Sequence, residues 1–293
     1  MSVSGGVCVV TGASRGLGRA IATHLAGRGV SLALCARDAR ALHAVAEDLR
    51  ARHGVGVHAV PADVGDAAAM AAFAESSRTE IGHAHALVTN AGVLGPVGRI
   101  DAVDVQAWSD AVTVNVLGVV HAMRAFVPQM IERGDGVVLN VLGGGVGGDG
   151  VQSFIDAYVA SKGAIAVLTE STAAELEPQG VRVNAFSPGP LATELMRPVL
   201  EAGREASGGA LFETAHAMYA DQREDAVEPE VFELIDFLLS DEARPLTGRL
   251  LSARWNRVDE LRRDLETIST PSRYRMRRID ADLFLARDDV SAD

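Results

Sequence analysis

Seven short apolar runs recur along the chain, and a longer amphipathic or alanine-rich stretch separates each from the next. The runs occupy residues 7–10, 30–35, 55–60, 86–89, 136–142, 181–186 and 250–255, and most of them are apolar nearly throughout. A strand with one wet face would alternate; continuous runs of this length are strands covered on both sides. The stretches between them, 17–28, 39–52, 67–81, 106–132, 158–177 and 229–240, have helical character. Repeated strand–helix alternation specifies an α/β fold with a doubly wound, mostly parallel seven-stranded sheet and helices on both faces. Such sheets bind ligands beyond the carboxyl ends of their strands, so the residues that follow each strand are where function is sought.

At 293 residues the chain accommodates one large α/β domain, expected over 1–255, and a C-terminal extension over 256–293. Two stretches interrupt the alternation, 143–157 and about 190–228, and the second is expected to form a lid over a substrate site. No apolar run approaches the roughly 20 residues of a membrane span, and the N-terminus has no signal-peptide pattern, so a cytoplasmic protein with no membrane partner is expected. Cys8 and Cys35 both lie in apolar runs and read as buried free thiols, with no metal site. A formal charge of −12 opposes nucleic-acid binding, which needs clustered positive charge.

Lysine and arginine together number 27, yet Lys162 is the single lysine of the chain. A sequence that otherwise places arginine wherever it wants positive charge, and keeps one ammonium, points to a site where a guanidinium does not serve.

The first strand runs directly into TGASRGLG, a strand-to-helix turn carrying Gly12, Gly16 and Gly18. Glycines let the backbone approach a pyrophosphate closely, and the helix that follows offers its first N–H groups to the anion. Gly12, Ser14, Arg15, Gly16, Leu17 and Gly18 are therefore assigned to a dinucleotide. The second strand ends LALCARD, which puts Ala36 where an acid would hold a ribose and Arg37 immediately after it. Arg37 and Arg15 supply two guanidinium forks for a 2′-phosphate, so NADP(H) is expected in preference to NAD(H). Asp38 is placed either to take the ribose or to cap the next helix. Asp63, with Val64, follows the third strand and is a candidate for the adenine amino group or a helix cap. Asn90, Ala91 and Gly92 form a turn after the fourth, bringing bare backbone beside the cofactor.

Tyr158 and Lys162 stand four residues apart in YVASK, on one helix face. A phenol with its ordinary pKa near 10 is a poor acid or base at neutral pH. A neighbouring ammonium is expected to lower that value and make the pair usable, while also holding the nicotinamide ribose. Asn115, in VNVLG, is a poor helix former in the middle of a long helix, where it is expected to bend the helix and free a carbonyl for a proton relay.

Taken in order, TGASRGLG, the NAG turn, Asn115, YVASK and VNAFSPG resemble the short-chain dehydrogenase/reductase family over about residues 5–250. The resemblance implies a Rossmann-type fold, a nicotinamide cofactor and a catalytic tetrad of Asn, Ser, Tyr and Lys, matched here by Asn115, Tyr158 and Lys162. It also implies that Pro188, Gly189 and Thr193 lie against the nicotinamide, with Thr193 alternatively a helix N-cap, and that the protein is a homo-oligomer, dimer or tetramer, built through the helices that follow Asn115 and Tyr158. The serine of the tetrad is missing: the expected positions hold Leu142 and Gly143. Ser153, Asp149 or the backbone N–H groups of residues 143–145 are the candidates to replace it, and Ser153 is assigned as catalytic.

The family usually ends soon after its seventh strand, whereas this chain continues into VDELRRDLETI and PSRYRMRRID. Leu261, Leu265 and Ile268 recur at helical spacing and are expected to pack on the domain or on a second subunit. An NADP(H)-dependent ketoreductase or alcohol dehydrogenase acting on a small carbonyl or alcohol substrate is the expected function. An isomerase, epimerase or dehydratase on the same fold, or a cofactor-binding protein with little catalysis, are the alternatives.

Overall fold

The computed structural model describes residues 6–146, 151–220 and 226–269. Its centre is a seven-stranded, wholly parallel sheet in the order β3-β2-β1-β4-β5-β6-β7. The strands are β1 (Val7–Thr11), β2 (Ser31–Ala36), β3 (Val57–Pro61), β4 (Ala84–Thr89), β5 (Gly136–Val141), β6 (Val181–Ser187) and β7 (Leu250–Ser252). The order reverses between β1 and β4, so the crevice above their carboxyl ends is where this topology admits a ligand.

Successive side chains of each strand enter opposite layers. Val10, Leu34 and Leu139 pack with α1 (Gly16–Gly27), α2 (Ala39–His53) and α9 (Pro229–Leu239). Val9, Cys35 and Val138 pack with α3 (Ala67–Ile81), α5 (Gly118–Arg133) and α6 (Asp156–Leu176). Phe73 and Phe126 meet edge to face at 5.3 Å in that second layer. Cys8 and Cys35 are buried free thiols, each pushed up to about 12 by burial.

Several boundaries differ from the sequence expectation for local reasons. The helical stretch 105–133 is α4 (Val105–Val112), a π-helical turn (Thr113–Leu117) and α5 in one 29-residue run. That run is long and apolar enough to cross a membrane by length and composition, contrary to the reading that no segment approaches this. Here it is a core helix: Val119, Ala122, Phe126 and Met130 are buried, and α5 lies against β4 and β5. The stretch 190–228, which interrupts the alternation and is expected as a lid, carries α7 (Arg197–Ser207) and α8 (Gly209–Ala220). Their apolar residues Val199, Leu211 and Ala215 form a small third cluster with Leu94, Ile155 and Tyr158. The seventh strand stops at Ser252 because the chain turns there, with the Asn256 side chain accepting from the Ser252 N–H at 2.7 Å.

Beyond that turn, α10 (Val258–Arg263) and α11 (Leu265–Ile268) fold back onto the domain. Val258, Leu261 and Ile268 join the first core layer and Leu265 packs against it, so the extension docks on its own subunit as far as residue 269. Arg249, 2 % exposed, fixes it: Nε donates to the Ile268 carbonyl at 2.7 Å, Nη2 to Ser269 at 2.6 Å and Nη1 to Thr247 at 2.8 Å. A buried guanidinium is tolerable because carbonyl oxygens satisfy its donors. The arginines of PSRYRMRRID, and Asp149, lie outside the described residues.

Candidate active site

One cleft of about 1220 Å³ runs along the carboxyl ends of the strands, from Arg37 and Asp38 after β2, past Tyr158 and Lys162, to Arg254 and Trp255 after β7. Gly12, Ser14, Arg15, Gly16, Leu17, Arg37, Asp63 and Val64 line it, as do Asn90, Ala91, Gly92, Pro188, Gly189 and Thr193. Two of the assigned residues serve from behind the wall.

Gly18 holds the turn closed from within α1: a Cβ there would lie 2.3 Å from the Gly12 carbonyl oxygen. Asn115 stands outside the lining, in the wall behind Val93.

At the cofactor end Gly12 has φ +69°, a conformation that L side chains rarely adopt. Asn90 holds this turn in place, its Nδ2 donating to the carbonyls of Thr11 and Gly12 at 3.0 and 3.2 Å. No side chain caps the N-terminus of α1, which leaves its first N–H groups facing the cleft. Arg15 and Arg37 are exposed, and neither has a carboxylate partner among the described residues. Asp38 caps α2, accepting from the Ala41 N–H at 3.0 Å, and β2 ends at Ala36. Asp63 accepts from the Gly65 N–H at 2.9 Å, whereas the α3 cap is Asp66. Thr193 stands at the N-cap position of a short turn over Glu194–Met196, but its side chain makes no capping bond.

At the catalytic end α6 brings Tyr158 and Lys162 onto one buried face. The Lys162 ammonium donates to the Val141 carbonyl at 2.8 Å and lies 5.5 Å from the centre of the Tyr158 ring. The electrostatics differ from the expectation of a phenol made acidic by its neighbour. Burial dominates in the protein without ligand: Tyr158 is pushed up to about 12 and Lys162 down to about 8. At neutral pH the phenol is therefore firmly neutral, and the amine keeps its proton by a narrower margin than a solvated lysine does.

Asn115 sits in the π-helical turn, as its position in mid-helix implied. Its side chain bonds to the Val93 backbone and to Ser161. Oδ1 accepts from the Val93 N–H at 2.8 Å, and Nδ2 donates to the Val93 carbonyl and to Ser161 Oγ, both at 2.9 Å. Ser161 in turn donates to the Tyr158 carbonyl at 2.7 Å. Sequence reading missed Ser161; the signal was its place between Tyr158 and Lys162, one helical turn from the tyrosine.

Of the two positions expected to hold a serine, Gly143 is the one facing the tyrosine: a Cβ on it would lie 2.4 Å from Tyr158 Oη. Leu142 is in the core. Ser153, assigned as catalytic from the sequence, is not in the cleft lining; it is exposed, in a separate shallow depression with Gly98, Arg99, Ile100 and Asp101. The backbone causes this: Phe154 takes φ +67°, and its carbonyl accepts from Gly98 N–H at 2.9 Å, which turns the preceding serine outward. Gln152, unremarked in the sequence, lines the cleft instead.

A parallel sheet in this order, a glycine turn opening its first helix, and a buried Tyr–Lys pair on the same cleft define a Rossmann-type dinucleotide-binding oxidoreductase fold. The chain belongs to the short-chain dehydrogenase family, whose model matches residues 6–203. It is 36% identical over 254 residues to a galactitol 2-dehydrogenase (L-tagatose-forming) of Cereibacter sphaeroides, covering 85% of this chain and 94% of that one. Among solved structures it is similar to an NAD⁺-bound xylitol dehydrogenase, with a TM-score of 0.75 and 29% identity, covering 86% of this chain and 98% of the other. It is also similar to an NADPH-bound short-chain oxidoreductase of Pseudomonas aeruginosa PAO1 described as containing an atypical catalytic centre, with a TM-score of 0.70 and 30% identity, covering 86% and 96%.

Proposed function

We propose that the chain is an NADP(H)-dependent ketoreductase or alcohol dehydrogenase, exchanging hydride between the nicotinamide and a ketone or secondary alcohol. The observation that carries this reading is the pairing of Tyr158 with Lys162 at the wall of a cleft whose other end is a glycine cradle. The bare backbone at Gly12, the uncapped start of α1, and Arg15 and Arg37 without carboxylate partners among the described residues fit a dinucleotide with a 2′-phosphate. The nicotinamide, when bound, supplies or accepts the hydride.

The chain's residues do the rest. Tyr158 Oη donates its proton to the oxygen of the ketone as the hydride arrives, and recovers it in the reverse direction. Lys162 holds ribose hydroxyls and supplies the positive charge that favours phenolate once it turns from Val141 toward the ligand. Asn115 ties the wall at Val93 to α6 through Ser161 and so fixes the height of Tyr158 above the sheet. Pro188, Gly189 and Thr193 line the cleft and would contact the carboxamide, as the resemblance implies, with α7 and α8 beside the substrate end.

NADPH oxidation followed by absorbance with a panel of ketones tests the reading. Turnover that Tyr158→Phe abolishes, with NADPH still bound, is the expected result. NADPH binding without turnover on any ketone points instead to the isomerase class or to a cofactor-binding protein. A homo-oligomer through α5 and α6 belongs to the same proposal: Val120 on α5, Val167 on α6 and Leu117 just before α5 are exposed apolar residues. Light scattering that gives a monomer mass removes that part.

A further inference from the structure

The resemblance places a serine hydroxyl beside the tyrosine, and here that space is closed. A Cβ at Gly143 would meet Tyr158 Oη at 2.4 Å, so the phenol itself stands where a side chain would project. The substrate oxygen nevertheless needs a second polar contact, because a carbonyl that gains charge in a half-dry cleft is costly with a single donor.

Among the described residues of the loop between β5 and α6, the polar side chains are Gln152 and Ser153. Ser153 faces away from the cleft. Gln152 lines it, is half-buried, and its carboxamide has no protein partner among the described residues. A carboxamide on the cleft wall that no protein group engages among the described residues has its donors available to a ligand. Its position is tied to the tyrosine through the main chain: the Gln152 N–H donates to the Gly144 carbonyl at 3.2 Å, and Gly144 abuts the Tyr158 ring so closely that a Cβ there would lie 3.3 Å from Cδ1.

We propose that the Gln152 carboxamide is the second ligand of the reacting oxygen, doing by an N–H donor what a serine hydroxyl does in the family resemblance. This rests on the oxidoreductase reading of the same cleft. In reduction, hydride adds to the carbonyl carbon, the π pair moves onto oxygen, and that oxygen takes the Tyr158 proton. Gln152 Nε2–H donates to the oxygen throughout and transfers nothing. A carboxamide stays neutral at every working pH, so its contribution is electrostatic alone, like that of an amide in an oxyanion hole.

The test uses Gln152→Ala and Gln152→Glu in the full chain, with Tyr158→Phe alongside. Gln152→Ala is expected to lower kcat about 10²- to 10³-fold, the usual effect of removing one such donor, with the NADPH Kd unchanged. Gln152→Glu keeps the shape but only accepts when ionised. It is expected to be as slow as Gln152→Ala at pH 7.5 and to recover toward pH 5 as its carboxyl gains a proton, a pH dependence that a packing role does not produce. Gln152→Ala within threefold of wild type on a ketone whose reduction Tyr158→Phe abolishes overturns the assignment and leaves the oxidoreductase reading standing. A wild type that binds NADPH and reduces no ketone overturns both.

Discussion

Placing one methyl group at residue 143 tests whether the active-site geometry is as tight as the structure has it. In Gly143→Ala the new Cβ would stand 2.4 Å from Tyr158 Oη, 3.3 Å from Cζ and 3.5 Å from Cε1, where 3.4 Å is the lower edge of ordinary contact. The ring contacts are tolerable; the hydroxyl contact is not, and Oη must retreat by roughly 1 Å. Gly144, the next residue, has φ +70°, and a Cβ on it would lie 3.2 Å from Val159 and 3.3 Å from the Tyr158 ring, so the loop has little room to yield instead. Overpacking of this kind costs about 1–3 kcal/mol of stability, and a catalytic group misplaced by roughly 1 Å loses about 10² in rate. Urea unfolding and NADPH-coupled kcat/KM measure the two effects. A double-mutant cycle isolates the cause: in a Tyr158→Phe background the offending oxygen is gone, so Gly143→Ala becomes nearly neutral for stability, with a coupling of about 1–3 kcal/mol. Gly143→Ala with wild-type stability and wild-type kcat/KM, or a stability loss that persists undiminished in the Tyr158→Phe background, refutes the argument that the tyrosine hydroxyl fills the missing serine's space.

Three other perturbations probe the charges of the same fold. The unfolded chain keeps the Lys162 proton up to its ordinary value of 10.5 and the folded, ligand-free chain only to about 8, so Lys162→Met is expected to stabilise the apo-protein at pH 7 by about 2–3 kcal/mol. That advantage shrinks as pH rises from 8 toward 10.5, where the unfolded chain binds more protons than the folded one; above pH 9 both proteins lose stability because Cys8 and Cys35 hold their protons to about 12. Urea midpoints at pH 7, 8 and 9 check this, and an advantage that does not change with pH refutes it. Arg37→Asp is expected to raise the NADPH Kd roughly 10- to 100-fold by replacing a guanidinium fork with a like charge, and to improve NADH relative to NADPH; titration of both cofactors by fluorescence reads the ratio, and an unchanged ratio removes Arg37 from the phosphate site. Arg249→Met strands the carbonyls of Ile268, Ser269 and Thr247, with an expected loss of about 2–4 kcal/mol and early proteolytic cleavage within 258–269; an unaltered melting temperature and cleavage pattern refutes the clamp.

The alternation of apolar runs is enough to read the sheet, because a strand buried on both faces has no choice but to be apolar throughout, and VCVV and SLALCA are. The glycine turn is legible for the same kind of reason: positive φ at Gly12 and contact at Gly18 admit nothing else. Asn115 is legible as an interruption of its helix but not in its bonds, since which backbone lies opposite a helix is a fact of packing. Ser153 and Gln152 mark where pattern reasoning fails. Both are polar residues of one loop, and nothing in their identities says which turns inward; a left-handed Phe154, held by a hydrogen bond from Gly98 far away in sequence, makes that choice.

The same distinction explains the Tyr–Lys pair. Spacing puts the two side chains on one helix face, and an argument from charge alone then makes the phenol acidic. Folding adds the desolvation that spacing does not contain, and it moves both groups toward their neutral forms. A buried ammonium bonded to Val141 and a buried phenol that has room beside it only because residue 143 is glycine await the ligand oxygens that would enter the cleft. On the proposed function, acid–base competence is thereby coupled to occupancy: ligand oxygens that replace the lost water are expected to bring the phenol back down toward its ordinary value. A titration of Tyr158 by its phenolate absorbance should therefore show no ionisation below about pH 10 in the apo-protein and a lower midpoint with oxidised cofactor bound. An identical midpoint in both states would separate catalysis from binding and leave the lone lysine without its role.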